Sequence, residues 1–222
     1  MDGAAELALA GERLQLLPGR AILLPRHATL LVADAHVGKA VSFRRLGVPV
    51  PRGTTTANLQ ALSDLLRQTA ARRIVFLGDF LHSARARSAS TLGALARWRE
   101  RHDDIELCLV RGNHDAQAGD PPTVLRIDVV DEPLRLGGLA LAHHPQPVAG
   151  AYVLAGHWHP CASFGGRAND RLRLPCFWFG DPERRAVGIL PAFGDFTGMH
   201  PIARGEGDRV WVVAEDRVVA LP

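Results

Sequence analysis

The sequence predicts an α/β fold in which two mixed β-sheets pack face to face, with helices on the outside. Two observations support this fold class: short apolar runs alternate with helical patterns in the first half, and short β-type runs dominate from about Val124 onward. A third observation is that no repeat, linker or low-complexity tract interrupts the 222 residues. We therefore expect a single domain over residues 1–222.

The first half of the chain is predicted to contain a βαβαβ unit preceded by one further strand. The elements in order are Ala21–Leu24, Thr29–Ala33, Thr54–Ala71, Ile74–Leu77, Ser90–Arg101 and Ile105–Val110. The first helix is predicted because Leu59, Leu62 and Leu66 recur at helical spacing. The strand at Ile74–Leu77 is wholly apolar, which is typical of a strand buried inside a parallel or mixed sheet.

The second half is predicted to consist of short strands. They are Val124–Val130, Leu134–Leu136, Leu139–Ala142, Tyr152–Ala155, Cys176–Phe179, Ala186–Leu190, Arg209–Ala214 and Arg217–Leu221. These strands favour a second sheet packed on the first. The last two are apolar enough to pair between subunits, which would give a homodimer.

Composition excludes several classes of protein. A chain with 47% hydrophobic and 22% charged residues is neither disordered nor fibrous. No apolar run approaches the ~20 residues of a membrane span, so we expect no membrane association. The acidic start Met1–Glu6 is unlike a secretory signal and favours a cytoplasmic protein. Three cysteines without a repeating spacing exclude a disulfide framework.

Side chains that bind metal ions cluster in five short segments, each at the end of a predicted strand. The segments are Asp34–His36, Gly78–His82, Gly112–Asp115, His143–Pro145 and Gly156–Pro160. Residues i and i+2 of a straight strand point the same way, so each D-x-H or H-x-H pair is expected to aim at one point. The glycines that precede three of the segments' polar residues fit turns where the backbone approaches a site.

The chemistry of these side chains predicts an open, two-metal catalytic site. Carboxylates, imidazoles and one carboxamide, without a thiolate, suit manganese, iron or zinc better than a closed structural zinc site. Seven candidate ligands are too many for one ion. They suit two ions about 3.5–4 Å apart that share a carboxylate, an arrangement used to hydrolyse phosphate esters.

In this order, D-x-H, G-D-x-x-H, G-N-H-D, a strand ending in histidine, and G-H-x-H resemble the calcineurin-like metallophosphoesterase superfamily, over about residues 30–160. The stretch Asp34–Lys39, with Ser42–Arg44 and Gly47–Pro51, is more narrowly similar to the ligase-associated DNA damage response endonucleases, relatives of the SbcD nucleases. The resemblance implies a four-layer αββα sandwich and two divalent ions, manganese first and iron or zinc as alternatives. It also implies functional association with a DNA ligase and a helicase.

The resemblance implies a role for each residue that matches the superfamily motifs. One ion would be held by Asp34, His36 and His159, the other by Asn113, His143 and His157, and both by Asp79. His114 would be the general acid, Asp115 would orient it, and His82 would contact the phosphate. Many members have His-Gly where this chain has His143-His144, and we assign the ligand to His143, nearer the strand end.

Other residues allow both a functional and an ordinary structural interpretation. Lys39, the single lysine, lies three residues beyond His36, and Arg85 and Arg87 follow His82, so all three are candidate phosphate contacts. Arginine side chains are also common on solvated faces. His144 could be an outer partner of a ligand.

These residues together predict a two-metal phosphodiesterase that uses a hydroxide bridging the ions. The preferred substrate is nucleic acid, DNA or RNA, in DNA repair. The alternative is a hydrolase of small phosphodiesters, nucleotides or phosphomonoesters, because the chain lacks the length for a nucleic-acid capping domain. A binding scaffold without turnover is the remote alternative, and it would be expected to have lost His114 or some ligands.

Overall fold

The structure, a computed structural model, describes residues 2–50, 53–165 and 171–222. Pro51, the last residue of the Gly47–Pro51 motif, lies outside these ranges. Among the described helices, none is long and apolar enough to cross a membrane.

The first sheet has seven strands in the order of the chain. They are β1 (Ala5–Leu9), β2 (Glu12–Leu17), β3 (Ala21–Leu24), β4 (Thr29–Ala33), β5 (Arg73–Leu77), β6 (Glu106–Val110) and β7 (Ile127–Val130). Strands β1 to β4 pair antiparallel, whereas β4, β5, β6 and β7 pair parallel. The parallel part places the carboxyl ends of β4, β5 and β6 side by side at one edge.

Four α-helices lie between β4 and β7: α1 (Lys39–Arg45), α2 (Thr54–Thr69), α3 (Ala89–Arg101) and α4 (Asn113–Ala118). The leucines of α2 at helical spacing, among them Leu59 and Leu62, are buried. They belong to one apolar cluster with Leu95 and Trp98 of α3 and with Phe76 of β5. The apolar faces of α2 and α3 therefore cover one side of the first sheet.

The second sheet has nine strands. They are β8 (Leu134–Leu136), β9 (Leu139–Leu141), β10 (Tyr152–Ala155), β11 (Pro160–Gly165), β12 (Arg171–Phe179), β13 (Val187–Ile189), β14 (His200–Pro201), β15 (Arg209–Ala214) and β16 (Arg217–Ala220). Strand β10 pairs parallel with β9 and β13. Strand β15 lies between β12 and β16 of the same chain. The homodimer through these terminal strands stays a prediction.

The two sheets pack face to face over an apolar core. Leu31 and Val75 of the first sheet belong to the same buried cluster as Leu141, Leu154 and Phe177 of the second. Another cluster lies on the outer face of the second sheet and includes Val153 and Trp178. Among the described residues that face is covered by loops and strand ends rather than by helices. The predicted fold class, two mixed sheets packed face to face, is confirmed.

The sequence interpretation overlooked several local elements, among them strands β11 and β14. The hairpin β1–β2 has a clear signal, because leucines alternate with polar or small residues around the turn at Ala10-Gly11, whose φ angles are 50° and 78°. Helices α1 and α4 are short, so they carry too few residues to show a period. The predicted strand Val124–Val130 begins instead as a 3-10 turn and becomes a strand at Ile127.

Candidate metal centre

The five predicted segments meet at the carboxyl ends of parallel strands. Asp34 follows β4, Asp79 follows β5, Asn113 follows β6, His143 follows β9 and His157 follows β10. Open α/β sheets place their sites at this edge. Three groups of side chains have ligand atoms within 4.8 Å of one another: Asp34, His36 and His159; Asp34, Asp79 and His143; and His143, His144 and His157.

The way in which the pairs converge differs from the prediction. Asp34 and His36 lie beyond the end of β4, and His157 and His159 lie in the connection between β10 and β11, so neither pair belongs to a straight strand. Left-handed backbone turns point the side chains inward instead. The φ angles are 51° at Asp34, 43° at His36, 51° at Asp79, 70° at His157 and 47° at His159. Such conformations cost energy in residues with a side chain, and they concentrate at functional sites.

Two glycines permit the close approach that the motifs predicted. A Cβ atom at Gly78 would collide with the ring of His143. A Cβ atom at Gly156 would lie 2.5 Å from Oδ2 of Asp34. Any larger residue at either position would therefore displace a candidate ligand.

The ligand atoms of Asn113, His143 and His157 face one another. Nδ1 of His143 lies 3.1 Å from the carbonyl oxygen of Leu77, and because a carbonyl only accepts, Nδ1 carries the proton. Burial lowers the pKa of His143, so the ring is neutral and Nε2 has a free lone pair. That Nε2 lies 2.8 Å from Oδ1 of Asn113 and 3.0 Å from Nδ1 of His157. Two acceptors at 2.8 Å repel each other, and a cation that both could bind removes the conflict.

The ligand atoms of Asp34, His36 and His159 repeat this pattern. His159 donates from Nδ1 to the carbonyl oxygen of Gly198 at 3.0 Å. Its Nε2 lies 3.5 Å from Oδ1 of Asp34. Both atoms, and Nδ1 of His36, are buried without a hydrogen-bond partner among the described residues. Unpaired buried polar atoms are costly, which fits side chains arranged to bind a metal ion.

Asp79 lies between the two groups. Its Oδ1 is 3.5 Å from Nε2 of His143, and its Oδ2 is 3.8 Å from Nε2 of His36. Burial, reinforced by the negative charge of Asp34, raises the pKa of Asp79. Two buried carboxylates so close together are unfavourable without a compensating positive charge. The donor set, the unpaired atoms and the close carboxylates all fit divalent ions.

His114 lies beside this cluster, and the Asp115 carboxylate bonds to the backbone near it. Nδ1 of His114 donates to the carbonyl oxygen of His82 at 2.8 Å, and its Nε2 is 3.9 Å from Oδ2 of Asp79. The Asp115 carboxylate accepts from the backbone amides of Phe80, Leu81 and Gly112. These three hydrogen bonds join the loop after β5 to the loop after β6. Asp115 therefore positions His114 by holding the backbone around it.

His82 stacks on His114, with ring centroids 5.2 Å apart and an angle of 25° between the rings. Burial, with the positive charge of Lys39 nearby, lowers the pKa of His82 to about 4. Its Nδ1 has no hydrogen-bond partner among the described residues. His82 is therefore a neutral imidazole at the rim of the cluster.

The three candidate phosphate contacts differ in their surroundings. Burial lowers the pKa of Lys39, although the charges of Asp34 and Asp79 act in the opposite direction, which places its ammonium group near the cluster. Arg85 is exposed. Arg87 donates from Nη1 to the carbonyl oxygens of residues 118, 119 and 120, just beyond α4. Its guanidinium group thus holds the segment after α4, and its phosphate contact stays a prediction.

Sequence reasoning missed the groups that fix the histidine rings. Glu132 accepts from the backbone amides of His143 and His144 at 2.7 and 2.9 Å, and its other oxygen lies 2.7 Å from Nδ1 of His144. A lone glutamate outside any motif gave no signal. The carbonyl groups of Leu77, His82 and Gly198 could not be found from residue type at all, because every residue has one.

A solved nuclease structure is similar to this chain over nearly its whole length. No protein-family model and no curated protein sequence matches the chain. Among solved structures, the nuclease MPE of Pseudomonas putida is 43% identical with a TM-score of 0.85, and the alignment covers 98% of this chain and 100% of that chain. The phosphoesterase Yfce from E. coli aligns at 15% identity over 86% of this chain and 96% of that chain, with a TM-score of 0.40, too low to bear on function.

Proposed function

The chain belongs to the metallophosphoesterase-type nucleases, and from this membership we propose that it is a two-metal phosphodiesterase that cleaves nucleic acid. Membership also makes it a phosphoric-ester hydrolase. The observation that supports the proposal most strongly is the set of buried polar atoms of Asp34, His36 and His159 that have no hydrogen-bond partner in the described part of the chain.

Two divalent ions would be held by the seven predicted ligands. Asp34, His36 and His159 form one set, Asn113, His143 and His157 form the other, and Asp79 lies where both sets can share it. When bound, the ions supply an activated water molecule and neutralise charge on the phosphate oxygens. Manganese is the preferred ion, with iron or zinc as alternatives, because mixed imidazole and carboxylate ligands suit all three.

His114 is the proposed general acid. Its Nδ1 is committed to the carbonyl group of His82, which leaves Nε2 facing the cluster. A proton held at Nε2 can be passed to the departing oxygen of the phosphodiester. The stacked ring of His82 and the backbone contacts of Asp115 keep His114 in this orientation.

Positive charge beside the cluster is proposed to hold the substrate phosphates. Lys39 is one such cation, since the charges of Asp34 and Asp79 both act on its pKa. His82 would donate to a non-bridging oxygen, and Arg85 would contact a phosphate further along the strand. A role in DNA repair beside a DNA ligase and a helicase is also proposed. It is supported by the resemblance to the ligase-associated endonucleases, which rests on Asp34–Lys39 and the motifs that follow.

The test is a comparison of substrates after removal and return of the metal. We expect manganese to restore cleavage of DNA or RNA oligonucleotides, and a chelator to abolish it. A cyclic nucleotide and a small aryl phosphodiester serve as the other substrates. Hydrolysis of these small esters with no cleavage of any polynucleotide would contradict the nuclease proposal and favour the small-substrate alternative.

A substitution of Arg85 tests polynucleotide binding separately from hydrolysis. Arg85→Gln should weaken polynucleotide binding and reduce the slope of log affinity against log salt by about one. Arg13→Gln is the matched control, because Arg13 is also an exposed arginine and lies on β2, outside the candidate metal centre. Equal salt slopes for the wild type and Arg85→Gln would remove Arg85 from the proposal.

A further inference from the structure

A cleft of about 660 Å³ opens directly beside the candidate metal centre. Its walls include His157, Trp158, Trp178, Arg185 and His200. A mostly apolar cleft of this size with a few polar groups is typical of a site for a small organic group. The roles proposed for the metal ligands and for His114 leave this cleft unused.

Trp158 gives the cleft an exposed aromatic wall. It lies between the candidate ligands His157 and His159, and 43% of its surface is exposed. The apolar clusters of the described residues do not include it. An indole ring that is not needed for the core and lies beside a reaction centre is suited to stacking with a flat ligand.

Arg185 provides a positive charge beside the apolar wall of the cleft. Trp178 is 1% exposed and its indole nitrogen is buried, so this residue contributes apolar surface to the cleft rather than a hydrogen-bond donor. The guanidinium carbon of Arg185 lies 5.4 Å from the centre of the Trp178 ring, which brings a positive charge to the same wall.

The cleft is fixed to the metal centre by the backbone. His157 lines the cleft and also lies 3.0 Å from the ring of His143. The amide of His200 donates to the carbonyl oxygen of His159 at 3.0 Å, which joins the far wall to a second candidate ligand. A group in the cleft therefore lies within one nucleotide's reach of a phosphate at the metal centre.

We propose that this cleft is a subsite for the nucleobase next to the scissile phosphate. The base stacks on Trp158, and Arg185 faces the adjoining phosphate. The proposal rests on the proposed nuclease function, because it assigns a base where that function requires a polynucleotide. A nucleobase fits because it combines a flat face with an attached negative charge.

The test is calorimetric binding to the full-length, metal-free protein in a chelator. The ligands are a thymidine tetranucleotide and an abasic tetranucleotide with the same number of phosphates, so charge is matched and only the bases differ. Stacking on one aromatic side chain gives about 5- to 150-fold in affinity. We expect the wild type to prefer the base-containing ligand by a factor in this range.

One variant and a control locate the preference. Trp158→Ala should reduce the ratio of the two affinities to about one, because stacking is lost. Phe164→Ala, which removes an exposed aromatic ring on β11 away from the cleft walls, should leave the ratio unchanged.

The outcomes separate this proposal from the nuclease proposal. A wild type that does not distinguish the two ligands would overturn the subsite, and so would a preference that survives Trp158→Ala. Equal weakening of both ligands by Trp158→Ala would overturn it too, since the ring would then only support the fold. Metal-dependent polynucleotide cleavage is measured independently, and its absence beside an intact base preference would contradict the nuclease function alone.

Discussion

The candidate metal centre and the region around His102 both place histidine rings against the interior, but they satisfy the polar atoms differently. Nε2 of His102 lies 2.8 Å from Oγ of Ser63, which also accepts from the indole nitrogen of Trp98 at 3.0 Å and donates to the carbonyl oxygen of Leu59 at 3.1 Å. At the metal centre, Asp34, His36 and His159 each have a buried polar atom with no partner among the described residues.

The difference separates a histidine that stabilises the fold from histidines arranged for a ligand. Nε2 of His102, Oγ of Ser63 and the indole nitrogen of Trp98 are paired by the protein itself, so these groups need no further ligand. At the metal centre, one ring nitrogen of His143 and of His159 donates to a carbonyl oxygen, and the other ring nitrogen faces the neighbouring candidate ligands. This arrangement is typical of metal-binding histidines. We therefore expect substitutions at the metal centre to reduce metal binding, and a substitution at His102 to change stability without affecting metal binding.

The largest effect is expected from Asp79→Asn, because Asp79 is the one side chain proposed to contact both ions. Activity should be abolished. Metal affinity should fall by more than the about 10- to 100-fold that loss of an outer partner of a ligand costs. In a chelator the variant should melt no lower than the wild type, since it removes one of two close buried carboxylates. Elemental analysis and thermal melting measure both effects.

The control for Asp79→Asn is Asp128→Asn, on an exposed position of β7. It should keep both the metal and the activity. Two tightly held ions in the Asp79→Asn protein would contradict the shared-ligand assignment.

His114→Ala is expected to have the next largest effect and to leave the ions in place. Loss of a general acid lowers the rate by about 10²- to 10⁴-fold, and the loss should be greatest for nucleotide leaving groups. An aryl phosphodiester, whose leaving group needs no proton, should be largely spared. The measurements are kcat for both substrates and the metal content. If the variant loses metal, His114 is a ligand and the division of the histidines is wrong.

Metal binding should stabilise the protein as a whole. A free ion concentration of about 100 times Kd contributes about 2.7 kcal/mol, which raises the Tm of a chain of this size by about 5–10 °C. Manganese should have this effect on the wild type, and calcium, which prefers oxygen ligands, should have less. Equal stabilisation by both ions would indicate a site of carboxylates without the histidines.

The smallest effect is expected at His102. Burial, with the positive charge of Arg101, lowers its pKa below the ordinary 6.5. As the pH falls through 6.5, His102 is therefore protonated in the unfolded chain before it is protonated in the folded protein. The free energy of unfolding then decreases. Between about pH 7 and pH 5, the Tm of His102→Gln should fall less than that of the wild type. Parallel curves for the two proteins would show that His102 does not contribute to acid sensitivity.

The sequence predicted the location of the candidate ligands better than their geometry. Asp34, Asp79 and His143 each follow a strand that is mostly apolar, and parallel strands bring such ends to one edge. The left-handed turns at His36 and His159 were not predictable, because residues with side chains rarely adopt them.

The same limit applies to parts of the fold. Strand β11 begins with Pro160-Cys161-Ala162-Ser163, which has no alternating pattern, and it is defined by its pairing with β12. The hairpin β1–β2 could have been predicted from its alternating leucines. Contacts such as that of Asp115 with three backbone amides depend on the tertiary arrangement of two loops, which residue spacing does not specify.

Anomalous diffraction from crystals grown with manganese is the most direct test of the two-metal centre, because it locates the ions independently of activity. We expect two peaks about 3.5–4 Å apart. One should lie among Asp34, His36 and His159, the other among Asn113, His143 and His157, with Asp79 contacting both. A single peak, or a peak bound by His144 and Glu132 instead of Asp79, would contradict it.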